Sequence, residues 1–381
     1  MSAPPAILQV LPRLVAGGVE RGTIEIAEAI ARAGYASLVA SAGGPMAEEL
    51  PRVGAEHVTL PLDRKSPLAL WRNAALLADL ARERNVVLIH ARSRAPAWSA
   101  LFAARRARCR FVTTWHGAYS EGLPGKRLYN SVMARGERVI AISGYIADLV
   151  RARHGLGEER LRVIPRGADL RRFDPALVPP ARAAALRAAW GVPEGAPVLL
   201  LPGRLSRWKG QAVLIEAMAR VPPPAVAVLA GEGSLRGELE ALVAARGLRG
   251  RVLLPGHVED MPGAYAAAEL VLHASTEPEA FGRTVVEAGA MARPVIASDL
   301  GAPRETVLPG RTGWLVPPGD PAALSGAIGQ ALAEPPERRA AMGRAARERV
   351  LARFTTEAMQ RATLAVYAEL LGPSPSGMSG G

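Results

Sequence analysis

Two carboxylates stand eight residues apart in the segment E-A-F-G-R-T-V-V-E, which runs from Glu279 to Glu287. A short apolar run, Leu270 to His273, precedes it, and a polar turn with Gly282 leads into a predicted helix from about Arg283. Backbone N–H groups at the start of a helix bind anions, whereas carboxylates accept hydrogen bonds from hydroxyl groups. A nucleotide-sugar requires both: hydrogen-bond donors that bind its phosphates and, beside them, hydrogen-bond acceptors that bind its hydroxyl groups.

Cationic side chains suited to a diphosphate follow another predicted strand, in the segment P-G-R-L-S-R-W-K-G, which contains Arg204 and Lys209. The chain has three lysines and 44 arginines, and Lys209 is the only lysine after residue 126. A compact ammonium group in a chain that otherwise uses arginine favours a contact with phosphate, with chance as the alternative explanation.

The elements that must position these residues alternate between strand and helix patterns. Ile7–Leu11 and Tyr35–Ser41 are apolar strands, and the helix between them begins after Gly17 and Gly18. This βαβ pattern predicts a parallel sheet with crossover helices. A second series of the same kind starts at Val198–Leu201, after a stretch rich in proline and alanine (174–197) that we interpret as an interdomain linker.

Composition limits the class of protein. With 381 residues, 49% hydrophobic and 22% charged, the chain has the composition of a globular protein of two ordinary domains. The single cysteine, Cys109, excludes an internal disulfide and a multi-cysteine zinc site and fits a reducing compartment. Because the sequence shows neither a leader peptide nor an apolar run of about 20 residues, it predicts a cytoplasmic protein.

The charge is unevenly distributed. Residues 1–175 contain 26 Lys and Arg against 16 Asp and Glu, whereas residues 176–381 contain 21 against 19. An arginine-rich genome that scatters arginine over protein surfaces is one explanation. The other is an anionic partner of the first half, such as a phosphorylated glycolipid or the inner face of a cell membrane. Nucleic acid is disfavoured, since no helix-turn-helix, zinc-finger or aromatic-plus-basic RNA signature is present.

The carboxylate segment resembles the E-x7-E signature of retaining glycosyltransferases with the two-Rossmann-domain (GT-B) architecture. From Ile7 to about Leu371 the chain is similar to family 4 (glycosyltransferase group 1), which builds bacterial lipopolysaccharide, capsule and other envelope polysaccharides. This resemblance implies an α/β fold with two Rossmann-like domains whose parallel sheets face each other across a cleft. The predicted divisions are an acceptor-binding domain (1–175), a nucleotide-sugar-binding domain (176–355), a helix that crosses back to the first domain (356–371) and a disordered tail (372–381).

The resemblance also implies roles for individual residues. The donor-binding positions that match the family are Gly17, Gly18, Arg204, Lys209, His257, Val258, Glu279, Phe281, Gly282, Arg283 and Glu287. Arg204 and Lys209 would hold the diphosphate, Glu279 the hexose and Glu287 the ribose. His116, in the motif W-H-G, matches a cleft histidine that faces the donor sugar, and with Arg204, Lys209 and Glu279 it completes the predicted catalytic set. The alternatives are a structural histidine and, for the glycine pair, a simple tight turn.

Two arginines are predicted to contact the acceptor. Arg92 and Arg94 follow the strand Val86–His90, at the end where open α/β sheets bind ligands. Contact with an anionic acceptor is the functional interpretation, and two solvated arginines are the alternative. In the motif I-P-R-G-A-D the family commonly has asparagine where this chain has Arg166, so no role is assigned to that side chain.

The predicted reaction is transfer of a hexose from a UDP- or GDP-linked donor to a glycan or glycolipid, with retention of anomeric configuration. The sequence contains neither a D-x-D pair, which clamps metal and diphosphate in the other glycosyltransferase fold, nor a His/Glu cluster at metal spacing. No metal or cofactor is therefore expected. A GT-B nucleotide-sugar epimerase and a non-catalytic nucleotide-sugar sensor remain alternatives.

Overall fold

The computed structural model describes residues 4–375. They divide into two compact units, one containing the described residues up to Arg166 together with those from Thr356 onward, and the other Gly167–Thr355. The predicted boundary after residue 175 is thus too late. Residues after Arg166 already bond within the second unit, where Ala168 N donates to Phe354 O (2.9 Å). The order of strands and helices along the sequence does not reveal such a tertiary contact.

The first unit contains a seven-stranded parallel sheet with the order β3-β2-β1-β4-β5-β6-β7. Its strands are β1 (Ala6–Val10), β2 (Ala36–Ser41), β3 (Ala55–Thr59), β4 (Val86–Ala91), β5 (Arg110–Trp115), β6 (Arg138–Ala141) and β7 (Leu161–Val163). The sequence A-I-L-Q-V of β1 is buried at every position, as expected for a central strand with both faces covered.

The second unit contains a six-stranded parallel sheet with the order β10-β9-β8-β11-β12-β13. Its strands are β8 (Val198–Pro202), β9 (Val226–Ala230), β10 (Val252–Gly256), β11 (Leu270–His273), β12 (Val295–Ser298) and β13 (Gly313–Val316). Two parallel Rossmann-like sheets confirm the predicted α/β fold class.

Helices connect the strands of both sheets. In the described residues they are α1 (Gly18–Arg32), α2 (Pro67–Glu83), α3 (Arg94–Ala107), α4 (Lys126–Asn130), α5 (Gly144–His154), α6 (Pro180–Ala189), α7 (Gln211–Met218), α8 (Arg236–Ala245), α9 (Met261–Ala267), α10 (Arg283–Ala290), α11 (Pro303–Thr306), α12 (Pro321–Ala333), α13 (Pro336–Arg353) and α14 (Thr356–Leu371). Local signals explain several starts, since Ser66, Ser143 and Asp320 accept hydrogen bonds from the first turns of α2, α5 and α12.

The stretch interpreted as a linker belongs to the second unit. Helix α6 packs against α9, and Arg182 forms an ion pair with Asp260 at the start of that helix (2.5 Å). Arg187 donates to Ala267 O (3.1 Å) and also bonds to Ala196 O. A composition rich in proline and alanine is typical of a linker, but these arginine contacts hold the segment against α9.

The last helix, α14, lies in the first unit. Met359, Val366 and Tyr367 share an apolar cluster with Ile7 of β1 and Ile30 of α1. The cluster covers one face of the first sheet with a segment that follows the whole second unit in sequence. Of the predicted disordered tail, residues 376–381 lie outside the described residues.

Candidate functional site

Two loops of the second unit meet because the strands before them are neighbours. β8 and β11 pair in parallel, with Leu199 opposite Leu270, so the loops that follow both strands leave the same edge of the sheet. Thr276 N, in the loop after β11, donates to Trp208 O in the loop after β8 (2.8 Å). Gly210 has a φ of 75°, and a Cβ at this position would overlap Ala274 O, so the two backbones approach only because this residue is glycine.

This approach pairs two residues that the sequence assigned to different parts of the donor. Lys209 Nζ lies 2.5 Å from Glu279 Oε1, and the two side chains are 17% and 11% exposed. The same oxygen accepts a hydrogen bond from Ser275 Oγ (2.6 Å) and lies 3.0 Å from His273 Nε2. Lys209 Nζ also lies 4.4 Å from the centre of the Trp208 ring. The loops therefore form one charged, largely buried cluster.

The cluster keeps Glu279 ionised. Burial by itself would raise the pKa of this carboxyl group, but the contacts with His273 and Lys209 outweigh burial and hold the pKa well below its usual value. Glu279 is therefore a carboxylate throughout the physiological pH range. A carboxylate of this kind accepts hydrogen bonds from hydroxyl groups but does not donate a proton.

Arg204 lies in the same loop as Lys209 but is arranged differently. Its backbone oxygen accepts a hydrogen bond from the buried Gln211 Nε2 (2.9 Å), which fixes the loop. Its side chain is exposed and forms no ion pair within residues 4–375. The loop thus presents one cation that is already paired, on Lys209, and one that is not, on Arg204.

The start of α10 provides the backbone part of the predicted site. Gly282 has a φ of 80° and precedes the first residue of the helix, Arg283. Phe281 is buried and packs edge-on against Phe354, with 6.1 Å between ring centres. The Phe281 ring therefore belongs to the apolar core, and the assignment of this residue to donor binding stays a prediction. Only backbone atoms of this residue remain for a ligand.

Glu287 lies one turn into α10. Its Oε2 accepts a hydrogen bond from Tyr265 OH (2.9 Å), and its Oε1 lies 3.4 Å from Arg283 Nε. Tyr265 is fully buried, and burial raises its pKa well above the usual value, so its hydroxyl remains a donor. This contact orients the Glu287 carboxylate, whose side chain is 15% exposed.

His257 and Val258 are placed away from the charged cluster. They follow β10, the edge strand of the sheet, and line a groove of about 780 Å³ together with Leu186 and Trp190. In the part of the chain that the structure describes, neither residue contacts Lys209, Glu279 or Glu287 through a hydrogen bond or an ion pair. Their predicted role against the nucleotide base stays a prediction.

In the first unit, His116 follows β5 and is partly buried. Its Nδ1 lies 2.8 Å from Arg166 NH2, and its Nε2 is buried without a hydrogen-bond partner in residues 4–375. Burial and the positive charges of Arg166 and Arg92 lower the pKa of His116 well below its usual value. The ring is therefore neutral at physiological pH. A fully buried polar atom without a partner is uncommon in folded proteins.

The glycine pair joins the His116 site through Arg166. Gly17, with a φ of 137°, precedes α1, and Gly18 is the first residue of that helix. The carbonyl oxygen of Gly18 accepts a hydrogen bond from Arg166 NH1. Arg166, to which the sequence assigned no role, thus connects the start of α1 with His116. The sequence signal for this role of Arg166 is that the family commonly has asparagine at the position.

The predicted acceptor arginines are not exposed loop residues. Arg92 is 4% exposed, and burial lowers its pKa to about 10, so the guanidinium remains charged. Arg94 is the first residue of α3; its guanidinium lies 4.1 Å from the centre of the Tyr119 ring and donates to Asn130 Oδ1 (3.0 Å). Both placements contradict the alternative of two solvated side chains. The Arg92 side chain points into the protein interior and is covered by other residues.

Arg94 borders a cavity that the sequence did not indicate. The cavity has a volume of about 450 Å³ and is lined by Pro12, Asp63, Lys65, Ser93, Arg94, Ala95, Lys126 and Tyr129. Two of the three lysines of the chain lie here, and Arg13 pairs with Asp63 (3.3 Å) and offsets its charge. The rarity of lysine in this chain is a signal for Lys65 and Lys126 as much as for Lys209.

No group of three or more His, Cys, Asp or Glu side chains in residues 4–375 is placed to hold a metal ion. Over the same residues, no helix has both the length and the apolar character that a membrane span needs.

Comparison with known proteins shows the family. Residues 16–172 match the family described as Glycosyltransferase Family 4, and residues 183–349 match Glycosyl transferases group 1. A D-inositol 3-phosphate glycosyltransferase of Xylanimonas cellulosilytica is 31% identical, with 93% of this chain and 92% of the relative covered.

Solved structures agree with that result. A glycosyltransferase from Rickettsia africae superposes with a TM-score of 0.88 at 33% identity, covering 97% of this chain and 99% of the other. HepE of Anabaena, solved in complex with UDP and glucose, has a TM-score of 0.84 at 28% identity, with 96% and 100% covered. The chain therefore belongs to the GT-B glycosyltransferases of Family 4 and group 1.

Proposed function

We propose that this glycosyltransferase moves a hexose from a nucleotide-sugar to a glycan or glycolipid acceptor, with retention of anomeric configuration. The observation that carries the proposal is the cluster of Lys209 and Glu279 beside Arg204, at the carboxyl edge of the second sheet. This is the edge where open parallel sheets bind nucleotides. The complexes of Anabaena HepE with UDP and with UDP-glucose support a UDP-linked donor.

The cations and the helix start act on the leaving group. In our proposal, the diphosphate lies between Arg204, Lys209 and the backbone N–H groups at the start of α10. Negative charge grows on the β-phosphate as the glycosidic bond lengthens, so cations held in place beforehand lower the barrier. Lys209 is held by its ion pair with Glu279 (2.5 Å) and needs no rearrangement of its own.

The carboxylates bind hydroxyl groups. Glu279 would accept from the hexose and Glu287 from the ribose. Neither is assigned as a general acid or base, and the low pKa of Glu279 agrees with that. Glycoside hydrolases place their two carboxyl groups on either side of a scissile bond. We propose instead that the departing phosphate takes the proton of the attacking hydroxyl group, and that the acceptor attacks from the face that the phosphate leaves.

The donor assignment is tested with Glu287→Gln and Glu279→Gln. Glu287→Gln retains an oxygen for Tyr265 OH and is expected to weaken free UDP and the donor alike, by about 1–3 kcal/mol. Glu279→Gln removes a charge that partly neutralises Lys209, so free UDP should bind no more weakly than to the wild type, while kcat/KM falls about tenfold. Calorimetry with UDP and an unreactive donor analogue measures both. Equal weakening of UDP by the two changes would refute the assignment of one acid to each sugar.

The lysine-lined cavity of the first unit is our candidate for the acceptor. Lys65, Lys126 and Arg94 surround about 450 Å³, beside the hydrogen-bonding groups of Ser93 and Tyr129. This set suits a phosphate or carboxylate group on the acceptor. The name of the Xylanimonas relative specifies a phosphorylated acceptor, which supports the same chemistry here. Lipopolysaccharide synthesis rests on the sequence resemblance alone, because the lipopolysaccharide enzymes WaaG and WaaB, at 18% and 16% identity, share only the fold.

Replacing both lysines tests this cavity. Lys65→Ala with Lys126→Ala is expected to raise KM for a phosphorylated acceptor about tenfold, since in our proposal each lysine contacts the anion separately. Donor binding should be unchanged. The salt dependence of KM should weaken too, because such attractions are screened over about 10 Å at 0.1 M salt. Arg105→Ala, an exposed arginine on α3, is the matched control. An unchanged KM and salt profile would exclude this cavity as the acceptor site.

Transfer itself separates the alternatives. A transferase forms a glycosylated product only when acceptor is present, whereas an epimerase changes the nucleotide-sugar without acceptor. A sensor binds the donor and converts nothing. Product analysis with and without acceptor therefore decides among the three.

A further inference from the structure

Arg166 is held in one orientation inside the first unit. It is 4% exposed, its NH2 lies 2.8 Å from His116 Nδ1, and its NH1 bonds to the carbonyl oxygen of Gly18. A Cβ on Gly22 of α1 would lie 2.5 Å from Arg166 NH1 and 3.2 Å from Arg92 NH2. The two guanidinium groups therefore occupy space that exists because this helix has glycine at position 22.

The contact with Arg166 determines which nitrogen of His116 carries the proton. A guanidinium group has only donors, so Nδ1 of His116 must accept and cannot carry a proton. The proton of the neutral ring is then on Nε2. This nitrogen is buried and has no hydrogen-bond partner in residues 4–375. His116 thus presents one N–H donor whose partner is not supplied by the described part of the chain.

The charged surroundings oppose a second proton on the ring. Burial is the largest effect that lowers the pKa of His116, and the titratable groups Arg166, Arg92 and His90 lower it further. Glu25 acts on Arg92 from α1. His90 is itself neutral, because burial lowers its pKa as well. A neutral residue at position 166 would remove the nearest of these charges.

We propose that Arg166 is a positioning residue, which fixes the Nε2–H tautomer of His116 and keeps the ring from taking a second proton. The ring then offers Nε2–H to an oxygen of the bound substrate, a step that rests on the proposed function. Asparagine, common at this position in the family that the sequence resembles, has a donor N–H but no charge. Arginine therefore adds resistance to protonation of His116 at mildly acidic pH.

Nitrogen-15 NMR of the full-length chain, labelled at histidine, tests the tautomer without measuring activity. The chain has six histidines, and the spectrum of His116→Gln identifies the signals of His116. In the wild type we expect the Nε2–H tautomer, with no titration between about pH 5.5 and 8. In Arg166→Met both tautomers should appear, and the pKa of the ring should rise because its nearest positive charge is gone. In Arg166→Gln the tautomer should persist while the pKa of the ring rises.

Arg110→Met, which removes an exposed arginine that pairs with Glu137, is the matched control and should leave the His116 signals unchanged. Arg166→Met signals identical to the wild type would overturn the proposal. Because this measurement needs no substrate, it decides the tautomer even if the chain proves to lack transferase activity.

The kinetic part of the experiment tests the connection to transfer. For Arg166→Gln, kcat should approach the wild-type value at pH 8 and fall more than the wild type at pH 6, by at most roughly fourfold, which is the limit for a histidine with the ordinary pKa of about 6.5. The KM of the donor should change little. A pH profile of the variant that runs parallel to that of the wild type, as a merely structural defect would also give, would overturn the proposed effect of Arg166 on protonation of His116 during transfer.

Discussion

Lys209→Met is expected to lower kcat about 10³-fold while the protein remains folded. Lys209 Nζ is held by Glu279 and lies over the Trp208 ring, in a position that is 17% exposed. If the diphosphate leaves beside this group, its charge is needed most in the transition state, and one preorganised contact of that kind contributes about 10²–10³ in rate. Steady-state kinetics should show a fall in kcat that exceeds any rise in the KM of the donor.

Two further variants make this prediction specific. Lys209→Arg keeps the charge but replaces a compact ammonium with a planar guanidinium, so it should retain donor affinity and regain only part of kcat. Glu279→Gln combined with Lys209→Met should cost less than the sum of the two single changes, because paired residues act as a unit. Melting temperature and circular dichroism give the control for folding. If Lys209→Met turns over at about the wild-type rate, the diphosphate contact does not exist.

The fold could be predicted from the sequence because the strands are short, continuous apolar runs. V-L-L-L-P of β8 and A-I-L-Q-V of β1 are buried at every position, and such runs separated by helices specify parallel sheets. The same pattern placed Lys209 and Glu279 in loops after strands. Their direct contact could not be predicted, since it depends on β8 and β11 being neighbours in the sheet, which the order of elements alone does not state.

The direction of side chains was the least predictable feature of the site. Phe281 lies within a recognisable motif, but its ring packs on Phe354, which is 73 residues further along the chain. Arg92 and Arg166 come after strands, where ligands bind, yet both turn into the fold beside Gly22. A motif specifies the backbone position of a residue. The partners that decide whether its side chain faces a ligand come from distant segments.

His116→Ala should lower kcat roughly 10²-fold, which is the effect expected for the loss of one preorganised polar contact with the transferred sugar. The structure leaves this contact open, because Nε2 is buried without a partner in residues 4–375 and the ring is neutral. Alanine also deprives Arg166 of its acceptor, Nδ1, so a loss of stability has to be separated from a loss of catalysis.

His116→Gln and His116→Phe provide that separation. The glutamine oxygen can accept from Arg166 while its amide N–H replaces the donor at Nε2, so we expect much of kcat to return. Phenylalanine fills the volume of the ring but offers neither group, and it should be as slow as alanine. Thermal unfolding of all three, together with kcat measured well below each melting temperature, distinguishes the two effects. If the phenylalanine variant is folded and turns over like the wild type, His116 is a structural residue and Nε2–H contributes nothing to transfer.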